Sequence, residues 1–495
     1  MRCSGSSSKT GSSRPPTTGS TATCVPTEPP GARILFETLT SDGAGVAPGQ
    51  GQQRFPGGAP TRGWTARGGE LGVSALVSIG IGGMVGGGIF SVLGLTVQIA
   101  DAGAYLSFVA GGVIAALTGR SYSLLSVRIR SRGGTAFFLD KCFGTAIGGP
   151  LNVLLWLSYF VMLGLYAVAF GSYGAVLLGA DPDGPWRRVL ASAVVVAFAA
   201  LNLAGAQIVG RAESFLVYGK LAILLLFCVA GLAFVDGSRV SPAHYPSFGV
   251  IVYAGALIFL GYEGFEPIAN AAEDARNPRR SLPLAYLISI GVVIVLYVLV
   301  AFVAVGNLDV AQIDHDRDYA LAVAARPFLG SAGFELIGIA AVISTASAIN
   351  ATLYGTGKFT YLMARNGELP AALGKPVWDR PIGGLLATTA GTLVVVNAVD
   401  IEGISLMGSA GFLLIFAAVN LAVLRLRITR LTRVLAVTGA VACVASFAAM
   451  TVYAAATTPA HLCVLGGFLV GAIVVEGLVR LRGRHVSHPP MRPEH

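Results

Sequence analysis

Long apolar runs recur along this chain from Leu71 to about Leu481, and nothing else in it constrains folding as strongly. A hydrocarbon core about 30 Å thick takes about 20 residues of helix to cross. Roughly twelve runs of that order can be marked off, at about 71–98, 103–127, 146–179, 188–206, 212–235, 248–271, 283–306, 333–363, 382–399, 403–424, 432–455 and 460–481. Inside a bilayer no water serves the backbone, so each run must satisfy its own N–H and C=O groups as a helix. Composition agrees: 54% of residues are hydrophobic and 12% charged, where a soluble domain carries about a quarter charged. The expected fold is an all-α integral membrane protein with about twelve transmembrane helices occupying residues 69–482.

The net charge of +9 could suggest nucleic acid, but the basic residues cluster between alternate runs. Arg128, Arg130, Arg132 and Lys141 form one such group, Arg276, Arg279 and Arg280 a second, Arg425 to Arg433 a third, and Arg480 to Arg484 a fourth. Intervening loops include acidic stretches such as "NLDVAQIDHDRDY". The positive-inside rule then places both termini in the cytoplasm, with Arg187, Arg188, Arg239, Arg317 and Arg326 on the expected outer side weakening the bias without reversing it, and a plasma membrane is the expected location. Residues 1–68 are rich in Gly, Ser, Thr and Pro and read as a disordered cytoplasmic tail. They lack the apolar core of a signal peptide, so the first run is expected to serve as its own insertion signal. Residues 483–495 read as a second cytoplasmic tail. The six cysteines show no CxxC spacing and are expected to be small apolar packing residues, with no metal and no cofactor indicated.

Two runs contain residues that weaken a helix at mid-span. The first holds "IGGMVGGGIF", residues 81–90, where each glycine costs about 1 kcal/mol against alanine. The sixth holds "LGYEGFEPIAN", residues 260–270, with Gly261, Gly264 and Pro267 around Glu263 and Glu266. Gly82 and Gly261 stand at about the same depth from the starts of their runs. Five helices carry a chain across the membrane once more than they return it. Two five-helix units in series, about 71–235 and about 248–424, are therefore inverted relative to each other, a 5+5 inverted repeat. The runs over about 432–481 fall outside it as two peripheral helices. Matched breaks in the two halves are the best sequence pointer to a transporter's central site. Close helix packing of the GxxxG type also fits Gly82 and Gly86 taken alone.

A broken helix at membrane depth persists where its freed backbone groups line a cavity or meet a ligand. The N–H groups near Gly86, Gly87, Gly88 and Ile89 suit a carboxylate, and the carbonyls freed before them, around Gly82, suit an ammonium. Gly261, Tyr262, Glu263 and Gly264 are expected to form the opposing break. Together these residues suit the two charges of a zwitterionic amino acid. Two readings of Glu263 stand at this point: a carboxyl neutralised by a proton or a structural hydrogen bond, and a partner for a cationic substrate group or a transported proton. Glu266 likewise reads either as a gating or proton group or as a helix cap. "GTGKFT" is no phosphate loop, because no Ser or Thr follows Lys358 directly. No nucleophile elbow or HExxH motif occurs, so an enzyme is not expected.

The same residues resemble a known family. "IGGMVGGGIF" is similar to the first-helix pattern of the amino acid-polyamine-organocation permeases. "FLGYEGFEPIANAAEDARNPRRSLP" is similar to their sixth helix, and "SAINATLYGTGKFTYLMARNGELP" to their eighth helix and its loop. The resemblance covers about residues 70–480. It implies a carrier of amino acids or related amines working by alternating access, with protons and a small molecule as partners. It also implies that Lys220 stands where sodium-coupled relatives bind a cation, and that Ser344, Thr345 and Ser347 occupy the hydroxyl positions of that cation site. Lys220 lies about ten residues into its run, where a charged centre costs about 2.5 to 3.5 kcal/mol. It therefore needs a partner, a water path or a snorkelling route. Some members carry a large aromatic gate where this chain has Leu260, leaving Tyr262 as the nearest candidate. Arg120 is expected to be a packing or ion-pair residue. The expected function is proton-coupled secondary transport of amino acids, with an amine or polyamine carrier or an exchanger as the runner-up, and a channel or intramembrane enzyme as the readings of another class.

Overall fold

The computed structural model describes residues 71–131, 133–182, 184–204, 210–308, 316–374 and 382–481. Both expected tails, with Cys3 and Cys24, lie outside the described residues. Of the two units into which the chain divides, the one spanning Gly57–His495 holds all of them.

The described residues are helical throughout, with a lone parallel bridge between Leu71 and Ala275 and no strand. In chain order the helices are α1 (Val73–Met84), α2 (Gly88–Ala100), α3 (Ala104–Arg128), α4 (Gly134–Phe143) and α5 (Thr145–Leu177). Next come α6 (Pro185–Ala204), α7 (Gly210–Leu232), α8 (Phe248–Leu257), α9 (Pro267–Asn270) and α10 (Pro278–Asn307). The last five are α11 (Ala320–Arg365), α12 (Ile382–Ala398), α13 (Ile401–Ala422), α14 (Arg430–Thr457) and α15 (Pro459–Leu481). Among the described residues, nine helical stretches are long and apolar enough to cross a membrane, and Val73–Met84, Leu216–Leu232 and Ile382–Ala398 are shorter apolar helices.

The core is apolar as in a soluble protein, but the outer surface is apolar as well. α5 and α13 are packed on nearly all sides, while α14 shows Val434, Val437, Val441 and Val444 to the surroundings at helical spacing. An apolar stripe on the outside of a bundle suits lipid, where exposed apolar side chains carry no cost. Buried polar residues such as Asn152, Asn420, Ser158 and Glu266 face the bundle interior instead.

Several sequence expectations are corrected. Helix α4 was not anticipated, because ten residues bounded by Gly133 and Gly144 are too short to register as a span. The span expected over 333–363 is the second part of α11, while the first part, from Ala320, was not anticipated. The break between the two parts is Gly330 at φ 65°, three residues after Pro327, which cannot donate to the helix ladder. Cys142, Cys228 and Cys443 are buried as expected, but Cys463 is exposed. Arg120 lies on the exposed surface of α3 rather than packed within it.

Candidate functional site

The first and sixth apolar runs are both interrupted. Between α1 and α2 the helix stops at Met84 and resumes at Gly88. In the sixth, α8 tightens into a 3-10 turn over Ile258–Tyr262. The chain is extended at Glu263 (φ −63°, ψ 149°) and resumes as α9 with Pro267 in its first turn. That position tolerates proline because its N–H would be unpaired anyway.

The two interruptions pass each other in opposite directions, with Gly83 against Gly264 and Gly88 against Gly261. A Cβ on Gly83 would overlap the Gly264 carbonyl, and one on Gly88 the Gly261 carbonyl. Gly264 has φ +122°, a conformation that favours glycine, and a side chain there would strike the Gly83 backbone. Glycine at these places therefore permits two backbones to touch.

Neighbouring helices serve the carbonyls that the breaks release. Tyr297 on α10 donates its hydroxyl to Met84 O at 2.8 Å and lies 3.3 Å from Gly261 O. Ser344 on α11 donates to Val85 O at 2.9 Å and to Gly86 O at 2.5 Å. Lys220 on α7, 7% exposed, donates from Nζ to Gly82 O at 3.2 Å. Thr345 turns back onto its own helix, donating to Ala341 O at 2.7 Å.

A cavity of about 240 Å³ lies where the breaks meet, lined among others by Gly82, Gly83, Glu263, Gly264, Glu266 and Ser347. Its other walls come from Tyr159, Met162 and Tyr166 of α5, from Gly133 and Thr135 beside and within α4, from Asn270, and from Thr352 to Phe359 of α11. The opposite side is closed by packing. Tyr262 is fully buried, donates to Phe108 O at 2.7 Å, and meets the Tyr297 ring at 5.1 Å between centroids. Leu260 fills the space above Gly408. Two further cavities touch neither break: one of about 310 Å³ lies by Arg187, Arg188 and Asp400, and a wide groove of about 620 Å³ lies by Arg326 and Glu335.

Glu266 is 2% exposed and accepts three hydroxyl hydrogen bonds: from Tyr122 at 2.6 Å, Tyr159 at 2.6 Å and Thr135 at 2.9 Å. Glu263, 1% exposed, lies beside it, and the Glu263 Oε2 atom has no hydrogen-bond partner. Beyond α4 is a second carboxyl pair. Glu368 in the loop after α11 accepts from Asn152 Nδ2 at 2.8 Å and faces Asp140 of α4. Burial, and then the adjacent Asp140, push Glu368 up to about 8, and burial raises Asp140 as well.

Of the sequence candidates, Gly82, Gly83's partner Gly264, Glu263, Glu266 and Ser347 come together at the cavity. Lys220 and Ser344 join the backbone of the first break from behind. Gly86, Gly87, Gly88, Ile89, Gly261 and Tyr262 are buried against protein and do not line this cavity, and a Cβ on Gly87 would overlap the Tyr166 ring. Sequence reasoning passed over Tyr122, Tyr159, Thr135, Tyr166 and Tyr297. The four tyrosines are ordinary residues of apolar runs whose only signal was a hydroxyl, and Thr135 lies in α4, which none of the expected runs covers.

Comparison with known proteins agrees with this arrangement. The family described as amino acid permease matches residues 71–433. An uncharacterized protein of Methanocaldococcus jannaschii is 39% identical over 354 residues, 71% of this chain and 81% of the relative. The inner membrane transport protein YbaT of Escherichia coli is 32% identical, covering 72% of this chain and 84% of its own length. The branched-chain amino acid permease BcaP of Bacillus subtilis is 26% identical, covering 72% and 81%. The match across both broken helices and the bundle around them makes the chain a member of the amino acid permease family, a multi-pass membrane transport protein.

Proposed function

We propose that this permease is a secondary carrier that moves amino acids across the plasma membrane by alternating access, driven by protons. The observation that carries the reading is the pair of antiparallel breaks meeting at a buried cavity, with Lys220 held on the Gly82 carbonyl. Opposed breaks at one depth are what a 5+5 inverted repeat produces, and half-helix ends in such a repeat supply opposite partial charges to one ligand. The α-amine takes carbonyls on the α1 and α8 sides, and the α-carboxylate takes the N–H groups at the start of α2 only once the breaks part, since Tyr166 and Gly261 cover them in this state.

With the basic loops and both termini in the cytoplasm, the cavity belongs to an inward-facing state. The packed layer of Tyr262, Leu260 and Phe108 is then the closed outer gate. α14 and α15 are the two peripheral helices. Lys220 takes the place of a metal cation between α1, α7 and α11, with Ser344 completing the contact to the break. Moving between facing states requires the two breaks to slide on their neighbours. A proton on or off Lys220 biases that equilibrium by as much as its affinity differs between the two states.

The test is uptake of labelled amino acids into proteoliposomes holding the purified protein, with an inward proton gradient and no sodium. Saturable uptake that accumulates substrate above the external concentration, and collapses when the gradient is dissipated, is the expected result. Linear, non-saturating flux would indicate a channel. A strict sodium requirement would overturn the proton assignment.

A further inference from the structure

We infer that the cavity contains a subsite for a second positive charge on the substrate, built around Glu263, so that the preferred cargo is an amino acid with a cationic side chain. The inference rests on the carrier reading above and narrows it to a substrate class.

Three observations carry it. Glu263 lines the cavity and is 1% exposed, and its Oε2 atom has no hydrogen-bond partner. A carboxylate oxygen left unserved at membrane depth is costly unless a ligand or a proton meets it. The neighbouring Glu266 is within hydrogen-bonding reach of Glu263, but as a second carboxyl it can serve this oxygen only through a shared proton, and its own oxygens already accept hydrogen bonds from Tyr122, Tyr159 and Thr135. Those three hydroxyls, from α3, α5 and α4, hold Glu266 in place as an acceptor. Finally, no Lys, Arg or His appears among the described residues lining the cavity. Lys220 stands behind the first break, on Gly82 O.

The described wall of the pocket thus presents two adjacent carboxyls and no cation. Like charges this close resist ionising together, and a cation placed between them relieves the repulsion. An ammonium or guanidinium fits that place: it brings several N–H donors and a full positive charge, and charge-assisted hydrogen bonds to carboxylates are about twice as strong as neutral ones. Asn270, on the same wall at the end of α9, offers a further polar side chain to such a group. The zwitterionic end of the substrate is held by the broken backbones, and the side-chain cation by Glu263 and Glu266. The rival occupant of the unserved oxygen is a proton, in which case neutral amino acids bind as well as cationic ones.

The experiment is thermal stabilisation of the purified full chain in detergent, titrated with lysine, arginine, leucine, alanine and putrescine, and repeated with Glu263→Gln. Glutamine keeps the size of the side chain and mimics its protonated form. Expected are half-maximal stabilisation by lysine or arginine at concentrations at least tenfold below leucine or alanine, and a difference below threefold in Glu263→Gln. Equal ranking of neutral and cationic amino acids in the native chain overturns the subsite in favour of a proton, and does so even where the variant fails to fold. A lysine preference undiminished in Glu263→Gln overturns the role of Glu263. Putrescine binding more tightly than lysine overturns the amino acid assignment in favour of a diamine. Stabilisation by none of the five overturns the carrier reading on which the inference rests.

Discussion

Lys220 Nζ lies 3.2 Å from the carbonyl oxygen of Gly82, so the buried ammonium of α7 is tied to the last regular turn before the break in α1. A charge at this depth is paid for only by contacts of this kind. Lys220→Ala should leave substrate binding measurable by thermal stabilisation while pH-driven uptake into sodium-free proteoliposomes falls at least tenfold. Accumulation by the variant in proportion to the imposed gradient would show that the proton is carried elsewhere.

Tyr297 bridges the two breaks through one hydroxyl. Tyr297→Phe removes the donor but keeps the ring that packs against Tyr262 and Phe108. A buried carbonyl left unpaired costs about 1–3 kcal/mol, so the variant should melt at lower temperature than the native protein in the same detergent. An unchanged melting temperature would mean that another group takes over Met84 O.

The glycines at the crossing should be intolerant for a packing reason. Gly264→Ala combines a left-handed φ, a strain of about 1–2 kcal/mol for a residue with a Cβ, with overlap on the Gly83 backbone. Gly88→Leu places a larger side chain against the Gly261 carbonyl and the Tyr297 hydroxyl. Both variants should lose thermal stability as well as transport, read by size-exclusion chromatography of the solubilised protein. A monodisperse, normally stable Gly88→Leu that merely fails to bind substrate would instead place that glycine directly against the ligand.

The Asp140–Glu368 pair gives stability a definite pH slope. Glu368 titrates at about 8 in the folded protein against an ordinary 4.5, so the folded state holds a proton that the unfolded chain releases. Stability is then greatest at the acid end and falls as pH rises through this window, levelling above about 8, with a slope of at most about 1.4 kcal/mol per pH unit for one proton. Glu368→Gln should flatten that slope while keeping the contact from Asn152. Melting temperatures measured from pH 5 to 9 decide it, and an equally steep fall in the variant would assign the effect to other groups.

How much of this was legible beforehand differs by kind of information. The apolar runs and the interruptions in the first and sixth could be read directly, because hydrophobic length, glycine and proline act on the chain locally. The positions of Gly82, Gly264, Glu263 and Glu266 at the cavity followed from the same local logic. Helix α4 escaped because its ten residues form a short helix whose reason for existing is what it touches, Glu266 through Thr135 and Glu368 through Asp140.

Sequence by itself therefore determined that the chain is a helical membrane protein and where two of its helices must fail. It did not determine which partners the failed helices would find. Tyr122, Tyr159 and Thr135 reach Glu266 across 144, 107 and 131 residues of chain, and Tyr297 reaches Met84 across 213. Contacts of that span are set by how helices pack, and packing depends on the whole bundle at once. The same holds for which side of the breaks is open: Tyr262 reads from the sequence as a gate candidate, but only its burial against Phe108 and Tyr297 closes that side and leaves Glu263 facing the cavity.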